Sequence, residues 1–356
     1  MKNQWAVLGG VRCFLASIVL FGHISHVVLM PRWAETLTHL DPFAAVLAFF
    51  LISGFSIAAS LERGTSTIAY YERRVNRIYP VYLAAFALSC VPYLLWGQTV
   101  STLHAGNMQA PQSVWEFAGG AFLLQGLLVS LPQAIGTTWT LGIECQLYAL
   151  APLLKRFNLP AQLVVFALSL LAFTNYGRLT HIDLTQMRFG EGTAFLGWAW
   201  LLGFVYYQNR CALWAKALLT GAALFGTCLH IGGVGELGPL TVGITVFALL
   251  FGNQIETRVR GRDFAGPLAY AGEVSYPLYV VHWPVLALLA GGDHERSFWL
   301  FLGLSFAAAL LLLHGVDLPY RAYVRRRSRA ATPTLPTESA EAAMPPSFHE
   351  TLKSVN

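Results

Sequence analysis

Arg12 and His23 lie eleven residues apart in the apolar stretch WAVLGGVRCFLASIVLFGHISHVVLM. Eleven helical steps of about 100° leave an offset of only about 20°, so both side chains fall on one stripe, roughly 16 Å apart along the axis. A guanidinium is a natural partner of phosphate oxygens, and an imidazole takes and returns protons near neutral pH. Charged and titratable groups within a membrane helix are costly and mark sites or ion paths, although a lone interior His or an Arg near a helix end is tolerated without chemistry. Three further groups of the same kind stand out: Glu144 in TTWTLGIECQLYALAPLL, His282 in GEVSYPLYVVHWPVLALL, and Arg73, Arg74 and Arg77 in YYERRVNRIYP.

The elements that must hold these residues follow from composition. The 356 residues are 55% hydrophobic and only 12% charged, with a mean hydropathy of +0.53. Soluble domains carry about twice that share of charge. The chain reads as all-α, a polytopic membrane helix bundle. Nucleic acid is excluded as a partner: the net charge of +5 comes from basic residues set between apolar runs, where they report orientation in the bilayer. Cys13, Cys90, Cys145, Cys211 and Cys228 fall inside apolar runs without metal-like spacing, so neither a disulfide framework nor a metal site is expected. The first run is too long for a secretory signal, holds Arg12 and His23, and lacks a convincing cleavage site, so it is expected to remain as the first helix.

Eleven apolar runs are visible, at 7–29, 42–61, 79–97, 115–131, 138–154, 161–176, 190–207, 213–230, 238–254, 268–290 and 297–315. If all crossed, the basic clusters around 63–77, 155–156, 210–216, 258–262 and 321–329 would fall on inconsistent sides. The run 115–131 is short and rich in glycine, and is read as a re-entrant or interfacial helix. About ten spans remain, with both termini and every basic cluster cytoplasmic. The long connection 98–137 then roofs the external side. Residues 1–320 form one membrane domain, and 321–356 a basic, then disordered, cytoplasmic tail.

With orientation fixed, depth follows from a rise of about 1.5 Å per residue. His23 and Glu144 both come to lie roughly 9 Å below the outer ends of their helices, and His282 roughly 12 Å below the outer surface. A His beside a carboxylate is the minimal general-base pair, because the carboxylate fixes the tautomer and stabilises the imidazolium. His23 with Glu144 is therefore the candidate pair. A structural hydrogen bond between helices and proton coupling in a transporter stay open beside it. His26 is placed at the rim. On the inner side, Arg73, Arg74 and Arg77 serve as a topology signal, and with Arg12 they describe a way in for an anionic donor. In FFLISGFSIAASL, Ser53 and Gly54 sit near mid-depth, where small residues allow close packing or line a passage. Tyr276 precedes Pro277, which is expected to kink its helix.

Five ordered blocks carry a resemblance: Arg12-x10-His23, FFLISGF at 49–55, RRVNRIYP at 73–80, WTLGIECQLY at 139–148 and GEVSYPLYVVHWP at 272–284. Together they resemble the integral-membrane acyltransferase family 3, which O-acylates extracytoplasmic glycans. The resemblance implies ten helices in a bacterial inner membrane, an acyl-CoA donor (commonly acetyl-CoA) from the cytoplasm, no metal, and a hydroxyl acceptor on an external glycan or glycolipid. It makes His23 the catalytic histidine, Arg12 its partner, and Arg73, Arg74 and Arg77 the donor-side arginines. Glu144 matches the acid after Trp139, and Cys145 replaces the frequent second acid. Ser53, Tyr276 and His282 are carried as residues along the substrate path. The resemblance leaves this chain to act with its membrane domain alone or with separate glycan-assembly proteins. A proton-coupled transporter or flippase of a glycan-lipid or small anion is the rival.

Overall fold

The computed structural model describes residues 4–64, 66–96, 99–101, 107–109, 113–129, 133–179, 187–228, 235–260, 264–290 and 297–330. The segment after 330, where disorder is expected, and the connections 229–234 and 291–296 lie outside them. The described chain is helical throughout, apart from an antiparallel ribbon of β1 (Thr99–Ser101) and β2 (Asn107–Gln109).

Long helices cover each expected span. They are α1 (Trp5–Ser25), α3 (Pro42–Glu62), α4 (Thr67–Trp96), α6 (Trp139–Leu154), α7 (Leu159–Leu179), α8 (Glu191–Asn209), α9 (Leu213–Cys228), α10 (Gly238–Arg260), α11 (Ala265–Ala290) and α12 (Phe298–Leu312). Among them α1, α3, Gly238–Val259 and Phe298–Ser328 are long and apolar enough to cross a bilayer by length and composition alone. The helix α2 (Arg32–Thr38) is a short link between α1 and α3.

The run read as re-entrant is cut short. The helix α5 (Val114–Ala121) is capped where Ser113 Oγ accepts from the Glu116 N–H at 3.1 Å, and it stops after eight residues. Leu123 and Gly126 then take positive φ of 58° and 75°, and the chain turns back. Eight residues rise only about 12 Å, far less than a hydrocarbon core of about 30 Å. Gln125, at the turn, is fully buried, and its Nε2 donates to the Thr138 carbonyl at 3.2 Å, tying the turn to the start of α6.

Helix α3 is the axis of the bundle: α1, α6, α8 and α10 all pack on it, and most of its residues are buried. Two reciprocal glycine contacts set the spacing. A Cβ at Gly54 would overlap the Trp200 carbonyl, and one at Gly203 would overlap the Leu51 carbonyl, so α3 and α8 meet backbone to backbone. Similarly, a Cβ at Gly9 would come within 2.9 Å of the Leu268 carbonyl and 3.2 Å of Gly272 Cα, which seats α1 on α11. Small residues at such crossings are what allow helices to approach where no hydrophobic force drives them together.

Helix α11 is continuous through Pro277 and Pro284. After α12 the chain passes through one π-helical segment, Leu313–Asp317, and continues as α13 (Leu318–Ala330). The basic residues from Arg321 onward thus extend the last helix.

Candidate active site

A cavity of about 400 Å³ opens between α1, α3, α4, α6 and α11. Its cationic wall comes from Arg12 on α1 and from Arg74 and Arg77 on α4, with Arg63 beyond the end of α3. Arg12 donates to Ser56 Oγ at 2.6 Å, and Ser56 in turn donates to the Ile52 carbonyl at 2.7 Å. Ser53 lies three residues before Ser56, so both line the cavity from one face of α3.

Arg74 donates to Ser60 Oγ at 3.0 Å and stands over the rings of Tyr70 and Tyr148 at 5.7 and 5.9 Å. Arg77 is held differently. It pairs with Asp317 at 3.0 Å and Glu273 at 3.6 Å and stacks over Tyr276 at 5.8 Å. Arg321 closes the network, with its Nε on Asp317 Oδ1 at 2.7 Å and a second nitrogen on Glu273 at 2.5 Å. Asp317, presented by the π-helical segment, is fully buried. Arg73 does not line the cavity: at about 100° per residue it sits farther round α4 than the Arg74 and Arg77 pair.

Glu144 faces the cavity from α6, where it accepts from both Ser53 and Tyr148. The Ser53 and Tyr148 hydroxyl oxygens lie 3.1 Å apart over the same carboxylate. The expected Glu144 to His23 contact is not made, because the turn of α6 directs Glu144 to α3. Instead, His23 Nδ1 meets His282 Nε2 at 2.9 Å, with the two rings nearly parallel at 18°. His282 is fully buried, and its Nδ1 meets the Leu278 carbonyl at 2.9 Å. Trp283 stands edge-on to His23 at 5.0 Å, and the His26 ring lies 6.3 Å away.

The cavity and the histidine pair are separate but adjoining. Tyr279 lines the cavity, and its ring lies 5.5 Å from Phe49 on one side and 6.1 Å from His282 on the other. Its hydroxyl is bonded to Thr140 Oγ1 at 2.5 Å. Of the residues singled out from sequence, the structure groups Arg12, Ser53, Arg74, Arg77, Glu144 and Tyr276 around the cavity, and joins His23 to His282 next to it. Sequence reasoning passed over Tyr148 and Tyr279, although each sits three or four residues from a chosen one, on the same helical face. It also passed over Glu273 and Asp317, and took Arg321 only as a topology signal. Among the described residues, no group of three or more His, Cys, Asp or Glu could hold a metal ion.

An arginine-walled cavity beside a paired histidine, built from Arg12-x10-His23 and the four other blocks, fits acyl transfer. Residues 5–314 match the acyltransferase domain family known as acyltransferase 3. The chain belongs to this family. It is 27% identical over 372 residues to BcsY of Komagataeibacter xylinus, named a membrane-bound transacylase, covering 93% of this chain and 88% of that protein. It is 29% identical over 157 residues to the acyltransferase MdmB of Streptomyces mycarofaciens, covering 42% of this chain and 38% of that one. Nodulation protein 10 of Rhizobium leguminosarum bv. viciae is 25% identical over 207 residues, or 52% of this chain and 53% of that protein. No solved structure matches the chain. The chain is thus a multi-pass membrane acyltransferase.

Proposed function

We propose that this acyltransferase moves an acyl group, acetyl in the commonest case, from cytoplasmic acyl-CoA to a hydroxyl of an extracytoplasmic glycan or glycolipid. It would do so from ten spans of a bacterial inner membrane, with both termini cytoplasmic. The observation that carries the reading is the arrangement of the cavity, which is cationic on its α4 wall and reaches, at Tyr279, the neighbour of the His23 and His282 pair.

Phosphates of the donor would take charge-assisted bonds from Arg74 and Arg77, with Arg73 at the approach. The pantetheine arm would pass Arg12 and Ser53, and bring the thioester past Phe49 and Tyr279 to His23. His23 would take the proton of the acceptor hydroxyl as its oxygen attacks the thioester carbonyl carbon, and return that proton to the departing sulfur. Arg12 and Glu144 would hold the arm between the two ends, with Tyr276 lining the inner stretch.

His23→Ala and Arg12→Ala, each checked for normal membrane abundance, test this directly. Loss of label transfer from radiolabelled acetyl-CoA to the surface polysaccharide of the producing strain is expected in both. Full activity of both variants would overturn the reading. Absence of donor turnover in the wild type, with movement of a glycan-lipid or anion in sealed vesicles, would replace it with the transporter.

A further inference from the structure

We propose that His282 is the positioning residue for His23, setting its tautomer so that Nε2, and not Nδ1, takes the acceptor proton. The argument runs from the buried end outward. A backbone carbonyl only accepts, so the contact of His282 Nδ1 with the Leu278 oxygen at 2.9 Å requires a proton on Nδ1. His282 is fully buried, where an imidazolium would be costly, so its ring is neutral and Nε2 carries a lone pair. That lone pair faces His23 Nδ1 at 2.9 Å, which must then bear the N–H. His23 Nε2 is left with the free lone pair. The two nitrogens of an imidazole direct their bonds to opposite sides of the ring. His23 is partly open whereas His282 is not, so the free nitrogen turns away from the buried partner.

The reverse arrangement fails on the same geometry. A proton on His282 Nε2 in the neutral ring would set the Nδ1 lone pair against the Leu278 oxygen, two acceptors at 2.9 Å with nothing between them. Nor does a carboxylate compete for the role. Glu144 is engaged with Ser53 and Tyr148, and no carboxylate is bonded to the His23 ring among the described residues. A backbone carbonyl on α11 thus does for His23 what a carboxylate does in a triad, with one further imidazole between them.

The proton inventory closes. The acceptor O–H breaks as the new C–O bond forms, and its proton goes to His23 Nε2. The resulting imidazolium keeps its Nδ1–H on the His282 lone pair. When the C–S bond breaks, the sulfur takes the proton from Nε2, and His282 ends in the state in which it began.

This inference rests on the acyltransferase reading, and its test separates the two. Membranes carrying wild type, H23A, H282L or H282Q are supplied with radiolabelled acetyl-CoA, and label is followed into surface polysaccharide. Binding of a thioether analogue of acetyl-CoA reports the folded donor site. H282L removes the acceptor at similar volume, and its rate at saturating acetyl-CoA should fall about 10²-fold with the donor KM unchanged. H282Q offers an amide oxygen where Nε2 stood and should recover at least about tenfold over H282L, which a purely packing role would not give. Wild-type rate in H282L overturns the inference. So does an H282Q protein that binds the analogue but transfers no faster than H23A, and this holds even if H282L fails to fold. No label transfer by the wild type would instead sink the acyltransferase assignment proposed for these substrates.

Discussion

The two ends of the site are built on opposite principles. Around the histidine pair, no charged side chain touches His23 or His282 through a hydrogen bond among the described residues; the pair is ordered by a carbonyl and by aromatic rings. On the α4 side, Arg77, Arg321, Glu273 and Asp317 share four ion-pair contacts within 4 Å. A proton-transfer group needs a partner that fixes its orientation and tautomer, whereas a polyanion is recognised by fixed cations held in place by acids. The cavity ends beside the histidine pair, and the boundary falls at Phe49 and Tyr279.

That contrast can be broken from either end. The largest effect is expected for His23→Ala, with transfer lowered about 10³-fold while analogue binding stays intact, since a positioned base is worth about 10² to 10⁴. A fall in donor binding of the same size would merge the two ends into one. Next comes Asp317→Ala. It strips a fully buried acid from Arg77 and Arg321, and because its partners are partly exposed the cost should lie near 2 to 3 kcal/mol, read as a lower thermal midpoint in detergent. An unchanged midpoint would mean that the network is dispensable for stability. Arg74→Ala should raise the KM for acetyl-CoA about tenfold and leave the maximal rate nearly alone, the signature of lost uniform binding. Smallest is Arg73→Ala, expected to change KM less than about twofold, because its side chain does not line the cavity. A larger effect would place the donor outside the cavity.

Sequence patterning made the helices legible, and left the partners across helices unresolved. The reason is geometric. Rise along a helix is fixed by the backbone at about 1.5 Å per residue, so His23, Glu144 and His282 could be placed at similar depth from spacing alone. Which of them meet depends on how each helix is turned about its axis, and packing decides that. Gly9 against Gly272 brings α1 and α11 side by side and running in the same direction, which delivers His282 to His23. Gly54 against Trp200 draws α3 into α8 and leaves the neighbouring Ser53 facing Glu144. Packing and passage, two readings of the same small-residue block, are therefore both realised, by adjacent residues. Asp317 was illegible for another reason: a carboxylate at the end of an apolar run reads as a helix end until the π-helical segment shows it turned inward.

The Gly54 and Gly203 contacts also bear on motion. Where side chains separate two helices, the gap can breathe as rotamers change, but α3 and α8 rest carbonyl against Cα with no such layer to compress. The wall of the cavity that carries Ser53 and Ser56 is consequently its stiff member, joined to α8 as one body. The wall carrying Arg77 is joined to its neighbours by long side chains and ion pairs, which can lengthen and re-form. Any widening of the cavity therefore falls to α4 and α11, with α3 as the fixed jaw.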